Sequence, residues 1–335
     1  MTGSEDTFKP ILLLVRDSSS ESNTNVYGLI PNRDANLAAL ILFAILWGWN
    51  TVIGIYTKQW WFFTAFFIGC GLETAGYIGR YLSHGDPYNI NYFLDQIVCL
   101  TLAPAFFMGG VYYLLAKFSM IYGSGVSRLK PMVYSYIFIS CDLLSIILQA
   151  IGGGMAATAL DENKDTDPGT HIMVAGLAVQ VAAMSVFGAL SFDFIWRVIK
   201  MKKKGRTEHP NLSDKELDAL IFEPKYAFIR NKEPLYHIFL YAIFTCSLLI
   251  YVRCIYRLIE LAEGWDGYLI LHEPYFLVLE ALIVFLGVLS LSIVHPGFVF
   301  GRNTSIPVKG LHKKKHFEET EEEKTLEFNE SDTAI

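Results

Sequence analysis

Residues 35–56 read ANLAALILFAILWGWNTVIGIY and contain no charged residue. At about 1.5 Å per residue, such a helix is long enough to cross roughly 30 Å of hydrocarbon. Working outward from it, the same reading recurs six times, over 60–79, 97–116, 132–157, 171–195, 236–259 and 274–296. Lipid offers no water to backbone N–H and C=O groups, so each run has to satisfy them internally, as a helix. The expected fold is therefore all-α, a polytopic membrane protein with a seven-transmembrane-helix bundle over 35–300. An extracellular N-terminal segment (1–34) and a disordered cytoplasmic tail (301–335) flank it. Pro104 and the run Gly152-Gly153-Gly154 are expected to bend or loosen the third and fourth spans.

The whole chain supports this division. Of 335 residues, 53% are hydrophobic and 18% charged, with a formal charge of −6. Thirty-eight of the 60 charges fall in 1–34, 196–235 and 301–335, leaving 22 for the other 226 residues. An ordinary soluble enzyme is excluded, and so is a nucleic-acid binder, because the balance is acidic. The face holding 57–59, 117–131, 196–235 and 301–335 carries 20 Lys/Arg, against five on the other. That bias puts the N-terminus outside and the C-terminus in the cytoplasm. It also puts the sequons at Asn211, Asn303 and Asn329 inside, where they stay unglycosylated. The apolar run 11–15 is too short for a signal-peptide core, so the first span is expected to be the targeting signal. In the long inner loop, Ser213 and Glu216 have capping-box spacing ahead of Leu217, Leu220 and Ile221, which predicts a short amphipathic helix.

Ionisable groups within spans are costly and mark functional interiors. In the fourth span, Asp142, Ser145, Gln149 and Gly152 are spaced 3, 4 and 3 apart and form one polar stripe. Asp142 lies about 15 Å from the inner end. In the sixth, Arg253, Arg257 and Glu260 share a face; in the seventh, Glu273 and Glu280 do. Arg253 and Glu280 lie at similar depth and are expected to pair. Glu73 sits in the outer half of the second span and Gln180 near the middle of the fifth. Gly71, Ala75 and Gly79 form a small-residue stripe for close helix approach, with Ala105 and Gly109 a shorter one.

Several chemistries are pruned by what the sequence lacks. There is no GxxxxGK[ST] and no HExxH. The seventh span has no lysine for a retinal Schiff base. The third span ends Leu115-Ala116-Lys117 and the seventh His295-Pro296-Gly297, unlike the signatures of G-protein-coupled receptors. The five cysteines lack CxxC spacing, and His312 and His316 lie in the tail, so no metal site is expected.

The ordered set of motifs resembles the fungal lipid-translocating exporter family. It comprises LETAGYIGR at 72–80, LAPA at 102–105, DLLS at 142–145 with Gln149 and Gly152-Gly153-Gly154, and GLAVQ at 176–180. It continues with RCIYRLIE at 253–260, GWDGY at 264–268, His272-Glu273 and His295-Pro296-Gly297. Agreement runs from about residue 26 to 307 and is closest to the family's sphingoid long-chain-base branch. Two departures stand out: Glu280 replaces a frequent Asp, and the N-terminal segment has no sequon. The resemblance implies a multi-pass plasma-membrane protein. It would move sphingoid long-chain bases, such as phytosphingosine and dihydrosphingosine, towards the outer leaflet, with no cofactor and no enzymatic step.

A sphingoid base is an alkyl amino alcohol, cationic at neutral pH. Its site calls for carboxylates for the ammonium, amides for the hydroxyls and an apolar wall. Glu73, Asp142 and Glu280 are the candidate counter-ions, and Gln149 and Gln180 the candidate hydroxyl partners. Arg253, Arg257, Glu260 and Glu273 are the candidate outer gate or structural clamp. The rival reading is a lipid-sensing seven-helix regulator that acts on a cytoplasmic protein partner through 196–235 and 301–335. A lipid hydrolase is the third.

Overall fold

The computed structural model describes residues 31–301, except 88, 124–125, 127–130, 163, 233 and 265–266. Most of the N-terminal segment 1–34, the tail from 302 onward with its histidines, and the sequons at Asn303 and Asn329 lie outside the described residues. So do Trp265 and Asp266.

Seven helical spans are long and apolar enough to cross a membrane, which makes this a multi-pass membrane protein. The first five are α1 (Arg33–Thr57), α2 (Trp60–Ser83), α3 (Ile90–Tyr122), α4 (Pro131–Asp161) and α5 (Asp167–Glu208). Two short helices follow, α6 (Asp214–Ile221) and α7 (Ala227–Arg230), and then the sixth span, α8 (Leu235–Ala262). After α9 (Tyr268–Leu271), the seventh span runs through α10 (Glu273–Phe276), a π-helical turn (Leu277–Leu282), α11 (Ile283–Ile293) and α12 (Pro296–Phe300). Ile45, Val52, Phe192, Tyr241 and Phe244 are mostly exposed on the outside of the bundle, whereas Asn50, Glu73, Asp142, Gln149 and Arg253 are buried within it. Apolar outside and polar inside is the arrangement lipid imposes.

Local chemistry starts and stops the helices. The Asn32 side chain accepts from the N–H groups of Asp34 and Ala35, capping α1. At its other end Lys58 adopts φ 57° and donates its N–H to the Gly54 carbonyl, so α2 can begin two residues later as an antiparallel neighbour. The predicted capping box forms: Glu216 accepts from the Ser213 N–H at 2.9 Å and hydroxyl at 2.8 Å. These donors hold the Glu216 carboxyl below the usual glutamate range.

The structure refines three expectations. First, neither Pro104 nor the glycine run interrupts its helix. Gly152 instead brings α4 against α5: a Cβ there would sit 2.6 Å from both the Gly169 carbonyl and the Met173 nitrogen. Within the run, Gly152 is the close-contact position. Second, the α2 glycines that meet α3 are Gly69, Gly76 and Gly79, of which Gly79 belongs to the expected stripe. Gly71 turns to Trp47 of α1, and a Cβ at Gly109 would meet nothing within 4 Å. Third, α5 does not end near Ile195. Lys202, Lys203 and Lys204 lie on its continuation, because nothing breaks the helix before Pro210 and lysine and arginine favour helix. Its 42 residues span about 63 Å, roughly twice the hydrocarbon thickness. On that extension Asp218 of α6 bridges Lys202 at 3.1 Å and Arg230 at 2.5 Å, and Arg230 also donates to the Ile121 carbonyl. The amphipathic helix is thereby bound to the ends of α3 and α5.

Candidate functional site

The buried polar groups concentrate where α2, α3, α8 and the seventh span meet. Arg253 of α8 is 0% exposed. It donates to the Leu100 carbonyl of α3 at 2.6 Å and to the carboxyl of Glu280, itself 1% exposed. The expected Arg253–Glu280 pairing is thus present. Glu280 stands in the π turn, whose wider register sets its position on the seventh span. Nothing in the local sequence announces that turn.

Glu73 of α2 faces both members of this pair and is 0% exposed. Neither of its carboxyl oxygens has a hydrogen-bond partner among the described residues. One turn along α2, Tyr77 stacks on Phe43 of α1 with ring centroids 5.5 Å apart. Its hydroxyl is likewise buried and without a hydrogen-bond partner. Glu73, Tyr77 and Arg80 are spaced 4 and 3 apart, so the continuation of this face was visible in the spacing, although only Glu73 was singled out.

Asp142 of α4 is 4% exposed. The Tyr112 hydroxyl of α3 faces its carboxyl in electrostatic contact, but outside ordinary hydrogen-bond geometry. Cys254 of α8, next in the chain to Arg253, is within electrostatic reach of both Asp142 and Glu280. Tyr112 lies 30 residues from Asp142 on another helix, and no sequence spacing identifies it.

Gln149 and Gln180 meet each other at the α4–α5 contact. Gln149 donates to the Gln180 carbonyl oxygen at 3.1 Å and to the Ser145 hydroxyl at 2.5 Å, and Ser145 donates to the Gly176 carbonyl at 2.7 Å. Gln149 Oε1 and Gln180 Nε2 retain one unpartnered acceptor and one unpartnered donor. The five candidate ligand-binding residues therefore fall into three groups: Glu73 with Glu280, Asp142 beside Tyr112, and Gln149 with Gln180.

The four candidate clamp residues also separate. Arg253 belongs to Glu280. Arg257 and Glu260 pair at 2.5 Å, with the Tyr256 hydroxyl donating to Glu260 at 3.0 Å. Glu273 works elsewhere, at the face where α1 begins. It accepts from the Asn32 N–H at 2.8 Å and Asn36 Nδ2 at 3.1 Å, and pairs with Arg80 at 3.4 Å. The Arg80 guanidinium lies 3.9 Å from the Phe276 ring centroid. Glu273 thus ties α1, α2 and the seventh span together. At the opposite face, buried Lys117 donates to Gln59 at 2.8 Å, and His295 caps α12 by accepting from the Gly297 N–H. Sequence reasoning assigned Arg80, Asn36, Gln59 and Lys117 no place in this network.

A membrane interior that holds Glu73 and Asp142 without hydrogen-bond partners can receive a cation, and the amide pair can meet a hydroxyl.

Comparison with known proteins accords with this chemistry. The chain matches the family model described as RTA1 like protein over residues 66–303. It is 40% identical over 312 residues to the sphingoid long-chain base transporter RSB1 of Saccharomyces cerevisiae, covering 90% of this chain and 81% of the relative. It is 28% identical over 243 residues to protoporphyrin uptake protein 1 of the same yeast, covering 71% of this chain and 69% of that one. It is also 28% identical over 220 residues to protein RTM1, covering 65% and 62%. No solved structure matches. A match across most of the spans, together with a relative this similar over nearly the whole length, establishes that the chain belongs to the RTA1-like family.

Proposed function

We propose that this protein exports sphingoid long-chain bases from the cytoplasmic towards the outer leaflet of the plasma membrane. The observation that carries this is the 40% identity, over 90% of the chain, to a sphingoid long-chain base transporter. The geometry is compatible with such a substrate. The ammonium would be received by Glu73 and Glu280, with Asp142 as a second acidic station. The hydroxyls would meet the free amide atoms of Gln149 and Gln180, and the alkyl chain would lie along apolar helix surface. Bound between Glu73 and Glu280, an ammonium would compete with Arg253 for Glu280, which makes the ion pair a gate. Glu273 and the Arg257–Glu260 pair would close the outer end. In this reading the N-terminus is outside, 35–300 forms the transport domain and the tail is cytoplasmic. The relatives favour a transporter over a regulator, and no protein partner or catalytic step is invoked.

The test uses purified protein in liposomes with labelled phytosphingosine in the inner leaflet. Unchanged label should appear outside faster than from empty liposomes. The Glu73→Gln/Asp142→Asn/Glu280→Gln triple variant should abolish the difference. Chemically altered label would indicate a hydrolase instead. Binding without movement would indicate a sensor.

A further inference from the structure

Around Glu73 the buried acids outnumber the buried bases. Arg253 gives Nη2 to both Glu280 and the Leu100 carbonyl, and its Nε and Nη1 make no hydrogen bond to Glu73. Glu73 is left with no hydrogen-bond donor, and the buried, unpartnered Tyr77 hydroxyl faces it. The remaining groups around it are few. On α2 they are Cys70 and Tyr77, from α3 Cys99, from α8 Arg253 and, beyond Cys70, Cys246, and from the seventh span Glu280. From α1 comes the apolar Phe43 ring. The only base in this set is the arginine that Glu280 holds. An ionised Glu73 would be a second negative charge with no hydrogen bond in a dry interior, which such a setting does not sustain. A proton is the cation that fits there without moving a helix.

Building on the export reading, we propose that Glu73 carries an exchangeable proton. One proton then enters for each long-chain-base ammonium that leaves, so a proton gradient acid outside drives export. The charges balance. The arriving ammonium displaces the proton from the Glu73 carboxyl, and the proton goes to the cytoplasmic side. When the ammonium departs outward, Glu73 takes its next proton from the outside. One positive charge moves each way, and Glu73, Glu280 and Arg253, counted with the bound proton or ammonium, carry the same net charge in both states. The path for the incoming proton is the face of α2 itself. Tyr77 lies one turn from Glu73 and is within electrostatic reach of Arg80, which pairs with Glu273 at the end of the bundle where α1 begins.

The experiment uses the full-length protein in liposomes with a pH-sensitive dye in the lumen. The probe is N,N,N-trimethylsphingosine, whose charge pH does not change, so it cannot cross as a neutral amine. By mass action, one-for-one exchange makes the outside-to-inside ratio of the probe shift about tenfold per pH unit, acid side enriched. The lumen should acidify as probe leaves. In Glu73→Gln, whatever movement survives should ignore the gradient and produce no dye signal. If that variant fails to fold, the wild-type gradient response and dye signal decide alone. Wild-type probe movement that is indifferent to the gradient, with a silent dye, overturns proton exchange and leaves export standing. Movement of neither this probe nor labelled phytosphingosine overturns the export reading and the exchange with it.

Discussion

Arg253 in the sixth span and Glu280 in the π turn of the seventh form an ion pair that solvent does not reach, and the same guanidinium donates to the Leu100 carbonyl at 2.6 Å. Three spans therefore converge on one side chain. Removing either charge leaves the other buried and alone, which costs about 3–5 kcal/mol. Arg253→Met and Glu280→Leu should each lower the melting temperature sharply in detergent. The double variant should recover most of that loss, because an apolar pair of similar volume is often neutral, while export stays abolished. A double variant no more stable than the singles would show that the pair does not hold these helices together.

Asp142 is buried with no ordinary hydrogen bond and no arginine of its own. Asp142→Asn keeps its shape and removes its charge. The melting temperature should hold or rise, since a desolvated acid is removed. Export, and cellular resistance to phytosphingosine, should fall tenfold or more, equivalent to about 1.4 kcal/mol of lost interaction. Full resistance at normal surface abundance would remove Asp142 from the ammonium path.

The glycine run separates into positions with different tasks. Gly152 is pressed against the Gly169 carbonyl and Met173 nitrogen, whereas a Cβ at Gly154 would meet nothing within 4 Å. Gly152→Leu should destabilise by about 1–3 kcal/mol or more, because α4 and α5 have to part. Gly154→Ala should be neutral or stabilising by up to about 1 kcal/mol through helix propensity. Equal effects at the two positions in thermal unfolding would contradict the contact described for Gly152.

The α6 capping box carries a pH signature. Folding lowers the Glu216 carboxyl, through the Ser213 backbone and hydroxyl donors. Its contribution is therefore complete above the usual glutamate range and disappears as pH falls through the folded value. Hydrogen-exchange protection of 214–221, corrected for intrinsic rates, should decline in acid and lose that dependence in Glu216→Gln. Identical profiles for the two proteins would show that the box does not hold the helix end.

Seven spans were legible because lipid imposes a one-dimensional rule: long runs without charge, written in composition and length. The α6 cap was legible because its partners are three residues apart. Arg253 and Glu280 were matched by depth, since helical rise converts residue number into height. Height does not give azimuth. Glu273 and Arg257 lie near one end of the bundle, yet they face different neighbours, Arg80 for one and Glu260 for the other.

What the sequence by itself determined is the membrane architecture, the identity of the buried acids and their heights, because hydrophobicity and helical period are local properties. The tertiary structure alone decided that Glu73 stands beside the Arg253–Glu280 pair without a hydrogen bond of its own while Asp142 looks to Tyr112. It also decided that Gly152 of α4 presses on α5. Those outcomes depend on how each helix is rotated about its axis and on the π turn that sets the position of Glu280. Rotation and register follow from packing among residues that are distant in the chain, and no local spacing records them.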